Sequence, residues 1–246
     1  MNSIWKFRCA LIVAGLVLGF TVYRGRQTFY EEAPAWMRLQ SRRSPALPDE
    51  VLTPWLTLRH QLDLAAKQNA QPIKSVQFFV ITKSGKQMLV CNLETLTNPG
   101  FAPANQFQVS RWTSDQNIVG CYTLDGAPLT IRLKHHPTYP KVAFLSVETR
   151  DALAPGASLP VLNVEQRPLA LRPDAVGYFT QSLPRVPSDD TTINAVAIGL
   201  PTTAILKTYR PEDGAYLSTK DAPLVTWINC RLDAHAPAPS IIFKLH

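Results

Sequence analysis

Two adjacent histidines, His135 and His136, are the strongest candidates for chemistry in this 246-residue chain. They follow a predicted strand and precede Pro137, a position where loops commonly carry functional residues. Imidazole binds metals and transfers protons near neutral pH. Neighbouring side chains on an extended chain point to opposite sides, so a shared metal site would need His60, His235 or a carboxylate supplied by the fold. The alternative is a solvated strand end with no catalytic or metal-binding role.

Cys121 is the candidate nucleophile. With His135 or His136 its thiol would form a thiolate–imidazolium pair. The surrounding segment 119–122 instead resembles the middle of a strand, whereas a reactive thiol needs exposure and positive charge nearby. The alternatives are a buried core thiol or a disulfide with Cys91.

The common catalytic and ligand-binding motifs are absent from the sequence. It has no Walker A loop, G-x-G-x-x-G, H-E-x-x-H, G-x-S-x-G, C-x-x-C or EF-hand loop. A site assembled from distant residues is still open to the chain. The Asp189-Asp190 pair is predicted to be a hydrated turn, and Trp112 and Trp227 are predicted to be core aromatics. The sequence therefore predicts no cofactor and no metal.

An apolar segment near the N-terminus predicts a membrane anchor over residues 1–23. Residues 9–23 are uncharged, and counting from Ile4 gives about 20 residues, enough to span the ~30 Å hydrocarbon core. Gly15 and Gly19 form a small-xxx-small pair that lets two membrane helices approach closely. A cleaved signal peptide is the alternative, although the nearest A-x-A sequence lies well beyond the apolar run and past several charges.

Basic residues are concentrated beside this segment and account for much of the net charge of +7. This pattern fits attraction to anionic lipid headgroups, and no aromatic-interleaved basic stripe indicates nucleic-acid binding. A short basic tail before a first apolar run is typical of exported proteins. We therefore expect an inner-membrane protein with one span and its large domain in the periplasm. The reverse orientation is the alternative, because basic residues flank the segment on both sides. The basic residues concerned are Lys6, Arg8, Arg24, Arg26, Arg38, Arg42 and Arg43.

A membrane-proximal stalk is predicted over residues 24–48, and a β-rich globular domain over residues 49–246. The domain is predicted to open with an amphipathic helix, because Thr53 suits the N-cap and Pro54 the first helical position. Asn69 suits its C-terminus. Its apolar face packs on the domain or pairs with a partner. The residues of that face recur at spacings of three and four: Trp55, Leu58, Leu62 and Ala65.

Short strands follow, because the hydrophobic period changes to two after the helix. One hairpin is predicted from 76–81 and 88–93, and another from 117–124 and 127–133 around Asp125-Gly126. Together with frequent prolines, these strands predict an antiparallel β-sandwich or open barrel. The proline-rich segment 152–187 marks a candidate boundary between two β subdomains, with long loops in one domain as the alternative. Further strands are predicted at 142–149, 159–164, 176–181, 193–198, 204–209, 224–232 and 241–245.

The anchor, the stalk, the β domain and the missing motifs together predict a non-enzymatic interaction or structural subunit of a cell-envelope assembly, such as a secretion, pilus or transport machine. Its partners would be the lipid bilayer and other protein subunits, with homo- or hetero-oligomers forming through the membrane helix. Two other classes are left open by the sequence. One is an envelope hydrolase or transferase with a site near His135 and His136, and the other is a small-ligand-binding β domain.

Overall fold

The computed structural model describes residues 40–114, 117–135, 142–169, 172–184, 191–212, 214–218, 223–228 and 238–245. Within these residues the fold is mainly β, as the sequence predicts. The expected membrane anchor, with Gly15 and Gly19, lies outside them. None of the described segments forms a helix that is long and apolar enough to cross a membrane.

One helix and a series of short to medium strands make up the described part of the chain. The helix α1 comprises Asp49–Asn69. The strands are β1 Gln40–Arg43, β2 Ile73–Ile81, β3 Gln87–Thr97, β4 Ala104–Ser114, β5 Ile118–Thr123, β6 Thr130–His135, β7 Val142–Leu153, β8 Ser158–Pro168, β9 Phe179–Ser182, β10 Ile193–Gly199, β11 Ile205–Arg210, β12 Ala215–Ser218, β13 Pro223–Ile228 and β14 Ser240–Lys244.

A central sheet of seven strands organises the fold, in the order β12-β13-β10-β2-β3-β8-β5. Its neighbours are antiparallel except for the parallel pair β10 and β2. A four-stranded sheet has the order β1-β6-β7-β4, and a three-stranded sheet has the order β11-β14-β9. Both smaller sheets are antiparallel throughout.

Three apolar clusters hold these layers together. Helix α1 covers one face of the central sheet, where Trp55, Leu58 and Leu62 are buried with Phe78. The two smaller sheets cover the opposite face of the central sheet. The four-stranded sheet packs over the end formed by β5 and β8, and the three-stranded sheet packs near β2, β10 and β13. The central sheet therefore forms two adjacent half-sandwiches, one with each smaller sheet, and α1 packs on its other face.

The helix begins one turn earlier than predicted, at Asp49 rather than after Thr53. Pro54 therefore lies inside the helix, where it is buried. Two acidic residues in the first turn, Asp49 and Glu50, favour this earlier start because they complement the helix dipole. The predicted end at Asn69 is confirmed, and the apolar stripe packs on the domain rather than on a partner.

The domain boundaries also differ from the prediction. Strand β1 pairs with β6, so the globular domain includes residues 40–48, which the sequence had suggested were stalk. The segment 152–187 is not a linker between subdomains. It contains β8, which lies inside the central sheet between β3 and β5.

The two predicted hairpins behave differently. Strands β2 and β3 pair as expected around a turn in which Gly85 has a φ of +65°. The Asp125-Gly126 turn also forms, with φ +87° at Gly126. Its arms then part, because β5 joins the central sheet and β6 joins the four-stranded sheet. Cys121 and Ile131 therefore enter the same apolar cluster from opposite sheets.

Candidate functional site

The predicted dyad of Cys121 with His135 does not assemble. The backbone N–H of Leu129, just before β6, donates to the Cys121 carbonyl at 2.9 Å, whereas His135 ends that strand. Six residues of extended chain separate the two positions by about 20 Å. His136 lies outside the described residues.

Cys121 is a core thiol. It has no exposed surface and lies in the cluster between the central and four-stranded sheets. Burial raises the pKa of its thiol to about 12, and the negative charge of Glu94 acts in the same direction. Burial also raises the pKa of Cys91. Neither thiol has the exposure or the lowered pKa that a nucleophilic cysteine needs.

The alternative of a disulfide between Cys91 and Cys121 is wrong. Both cysteines are free. Cys91 is paired with Val164 and Cys121 with Asn163, so strand β8 lies between them. Consecutive residues of β8 point to opposite faces, which puts Cys91 in the helix-side cluster and Cys121 in the other.

We expect both buried thiols to be unreactive in the folded protein. With a pKa of about 12, only about one Cys121 thiol in ten thousand is ionised at pH 8. Native protein treated with iodoacetamide at that pH should show no modified peptide containing Cys91 or Cys121. The same protein in 6 M guanidinium should be modified at both. Rapid alkylation of native Cys121 would show that this strand opens or that the thiol is activated.

Among the described residues, the other sequence-predicted groups form no second centre. His60 is exposed on α1, and among the described residues no three side chains of metal-binding type are grouped. His235, Asp189 and Asp190 lie outside those residues. Trp227 is a core residue as predicted, 2% exposed and in edge-to-face contact with Tyr209.

A row of amides crosses the central sheet between its two covering sheets; Asn92 and Asn163 are buried and Gln77 is half-buried. Gln77, Asn92 and Asn163 are directly opposite one another on β2, β3 and β8, and Cys121 continues the row on β5. Asn163 is 1% exposed, and neither polar atom of its side chain has a hydrogen-bond partner in the described structure. Gln77 Oε1 and Asn92 Nδ2 are also buried without a hydrogen-bond partner there.

Glu165, two residues after Asn163 on β8, adds a carboxylate next to this row. It is 3% exposed, and its Oε2 accepts a bond from Arg167 Nη2 at 3.1 Å. The amide row thus places uncharged donors and acceptors in a closed interior. The three amide side chains supply neither a nucleophile nor a base. We expect their unsatisfied polar atoms to lower the stability of the domain.

The most distinctive surface feature is Phe101, whose side chain is completely exposed at the tip of the loop between β3 and β4. The side chain of Asn98, which is 2% exposed, fixes the loop through hydrogen bonds to its backbone. Its Nδ2 donates to the carbonyls of Ala102 and Leu153 at 2.9 and 2.8 Å, and its Oδ1 accepts from Gly100 N–H at 3.0 Å.

A second loop, between β7 and β8, lies beside the first and is bonded to it. Asn98 N–H donates to Ala157 O at 3.0 Å, and Gly156 N–H donates to Asn98 O at 2.9 Å. We call residues 99–103 and 154–157 the Phe101 tip. It contains no charged residue. Aromatic side chains are enriched among the residues that contribute most to protein–protein binding, so the Phe101 tip is a candidate recognition site.

Sequence reasoning did not find the Phe101 tip. A local signal exists, because Asn-Pro and Pro-Gly steps mark a turn just before Phe101. The sequence does not reveal that this phenylalanine stays outside the core. The amide row has no local signal, since it depends on the register of four strands.

Comparisons with known proteins do not assign a family. No family model matches the sequence, and no curated protein matches it. Among solved structures, an M1 zinc metallopeptidase from Deinococcus radiodurans is similar over 71% of this chain and 42% of its own, with 12% identity and a TM-score of 0.37. Yeast LTA4 hydrolase is similar over 72% and 29%, with 9% identity and a TM-score of 0.38. The chain thus spans less than half the length of these proteins, and similarities of this size carry no functional assignment.

Proposed function

We propose that this protein is a non-enzymatic interaction subunit of a cell-envelope assembly, anchored by residues 1–23, with its β domain on the periplasmic side. The observation that carries the proposal is the fully exposed Phe101 on a fixed, uncharged pair of loops. The anchor and its orientation rest on the N-terminal sequence alone.

The interior favours binding over catalysis. Cys121 is buried with a raised pKa, and it is separated from His135, so the described residues offer the enzyme alternative no nucleophile–base pair. The apolar interior of the described residues is divided into three packed clusters, which gives little support to a small-ligand mouth inside a sheet.

A protein partner fits the Phe101 tip better than the bilayer does. The chain enters the four-stranded sheet at Gln40, level with Leu133 on β6 and Leu145 on β7. The tip follows Leu153, near the other end of β7. Strand β4 covers the interval from Leu145 to Leu153 in five residues, Val109 to Ala104, so the two levels are on the order of 17 Å apart. The tip therefore lies at the end of the four-stranded sheet away from Gln40, where the described part of the chain begins.

Truncating Phe101 should weaken partner binding without unfolding the domain. A central aromatic anchor contributes about 2 kcal/mol or more, so Phe101→Ala is expected to lower affinity roughly 30-fold. The measurement is quantitative mass spectrometry of proteins that co-purify with the full-length chain from its native membranes in mild detergent. A photo-crosslinking amino acid at position 101 should also give one defined adduct.

Val176 provides the matched control, because it is also a large, exposed apolar side chain and lies in a different loop, before β9. Val176→Ala and a crosslinker at position 176 should leave the partner profile unchanged. Equal loss from both variants, or a lipid adduct in place of a protein adduct at position 101, would contradict the proposal.

A further inference from the structure

The outer face of the four-stranded sheet is basic. Its inner face is formed by residues such as Phe107, Ile131 and Leu145, which are buried in the cluster against the central sheet. The residues that alternate with them point outward, because successive side chains of a strand face opposite sides. Three of the outward charges in the described part of this sheet are positive and one is negative. They belong to Arg43, Arg132, Lys134 and Glu148.

A groove of about 600 Å³ lies at one end of this face, where it is lined by Arg43, Glu148 and Arg150. Glu148 is paired with Arg132, whose Nε and Nη2 donate to Glu148 Oε2 at 3.1 and 2.8 Å. Asp151 follows Arg150 in the chain but does not line the groove. Among the described residues, Arg43 and Arg150 have no carboxylate partner. The groove therefore presents two arginines that are free to bind an anion.

The three-stranded sheet is the other basic sheet of the domain, and it differs in one respect. One of its three cations already has a partner, because Lys207 Nζ lies 4.6 Å from the centre of the Tyr178 ring. The cations of this sheet are Lys207, Arg210 and Lys244. They provide a matched control for the face that carries Arg43.

Strand β1, which carries Arg43, is the first described strand after the predicted anchor. Residues 24–39 join the two and include Arg24, Arg26 and Arg38. A tether of that length keeps β1 within about 55 Å of the bilayer surface. Each basic residue close to an anionic bilayer strengthens binding about fivefold. The charge of this face and its place in the chain thus both suit an anionic lipid surface.

We infer that the outer face of the four-stranded sheet lies on the anionic surface of the bilayer, with Arg43, Lys134 and Arg150 bound to lipid phosphates. Guanidinium groups bind phosphate oxygens in bidentate fashion. This contact rests on the anchor of the proposed function and adds the surface that meets the lipid. It leaves the Phe101 tip accessible to a protein, because both loops of the tip connect the four-stranded sheet with the central sheet at the end of the half-sandwich.

Photo-crosslinking of the full-length chain in lipid vesicles tests this contact. The crosslinking amino acid replaces Gln108, which is exposed on β4, the strand at the opposite edge of the sheet from β1. An adduct there reports contact of the whole face rather than nearness to the tether. Lipid adducts are expected to be at least tenfold more frequent in vesicles that contain phosphatidylglycerol than in pure phosphatidylcholine vesicles. A crosslinker at Leu56, on α1 behind the central sheet, should give few in either.

Equal yields at position 108 in the two kinds of vesicle would overturn the inference. A protein adduct in place of a lipid adduct at position 108 in native membranes would also overturn it, because the face would then belong to an acidic protein partner.

Neutralising the basic face should remove the adducts. Arg43→Gln/Lys134→Gln/Arg150→Gln is expected to lower the yield at position 108 in phosphatidylglycerol vesicles at least tenfold. The control variant Lys207→Gln/Arg210→Gln/Lys244→Gln removes the same charge from the three-stranded sheet and should leave the yield unchanged. An equal loss from both variants would mean that net charge, and not this face, attracts the lipid.

A high-salt wash of the same vesicles tests the anchor separately. Protein that stays with phosphatidylcholine vesicles after the wash is anchored, whether or not position 108 reacts with lipid. Anchored protein that gives no adduct at position 108 in phosphatidylglycerol vesicles would overturn the inference and leave the anchor intact. Protein that gives adducts before the wash and is then removed by it would support the lipid-binding face and contradict the anchor.

Discussion

Replacement of Trp55 by alanine is expected to lower the free energy of unfolding by about 3–5 kcal/mol. Trp55 is 1% exposed at the centre of the helix-side cluster. Its ring lies 6.4 Å from that of Phe78, and its Nε1 donates to the Leu124 carbonyl at 2.9 Å. The substitution therefore opens a cavity and leaves a carbonyl without its donor.

The neighbouring Leu56 is the control for this prediction, because it is 44% exposed on the same helix. Leu56→Ala should change stability by no more than about 0.5 kcal/mol. Denaturant unfolding followed by tryptophan fluorescence and circular dichroism measures both variants. A loss below about 1 kcal/mol for Trp55→Ala would mean that α1 is not an integral layer of the domain.

Replacement of Asn163 by valine is expected to have the opposite sign and to raise the free energy of unfolding by about 1–3 kcal/mol. A buried polar group without a partner costs about that much, and both polar atoms of this amide are unsatisfied within the described structure. Valine is close in size and suits the middle of a strand. Equilibrium unfolding in denaturant gives the value.

Asn98→Val is the control for this prediction. Asn98 is also an asparagine, and its exposed fraction is nearly the same as that of Asn163, 2% against 1%. Its side chain makes three hydrogen bonds to the backbone of the two loops. Asn98→Val should therefore lower stability by at least about 2 kcal/mol. A destabilised Asn163→Val would instead show that ordered water or a ligand satisfies the amide row in solution.

Local patterns in the sequence were sufficient for most elements of this fold. The alternation of 76–81 and 88–93 around a glycine turn predicted β2 and β3, and spacings of three and four predicted α1. Strands β1, β4 and β12 were missed. Strand β1 contains no apolar residue, so no hydrophobic period marks it in the sequence, and it forms a strand because β6 supplies its hydrogen bonds.

The candidate chemistry was the weakest part of the sequence analysis. The pairing of Cys121 with His135 or His136 was suggested by side-chain chemistry alone. In the structure, an extended strand carries His135 away from the turn, and the thiol faces into the core. The Phe101 tip depends on two loops that are far apart in the sequence and are joined by Asn98.

The sequence by itself determined the mainly β class, the amphipathic helix and the positions of the sharp turns, because these depend on side-chain periodicity and on local backbone preferences. Only the tertiary structure decided which strands became neighbours. Strands β2 and β10 pair in parallel across a long interval of chain, and β5 and β6 separate into different sheets after one turn. Such pairings are selected by the burial of whole faces, which no local pattern records. The amide row and the exposed Phe101 both follow from that selection.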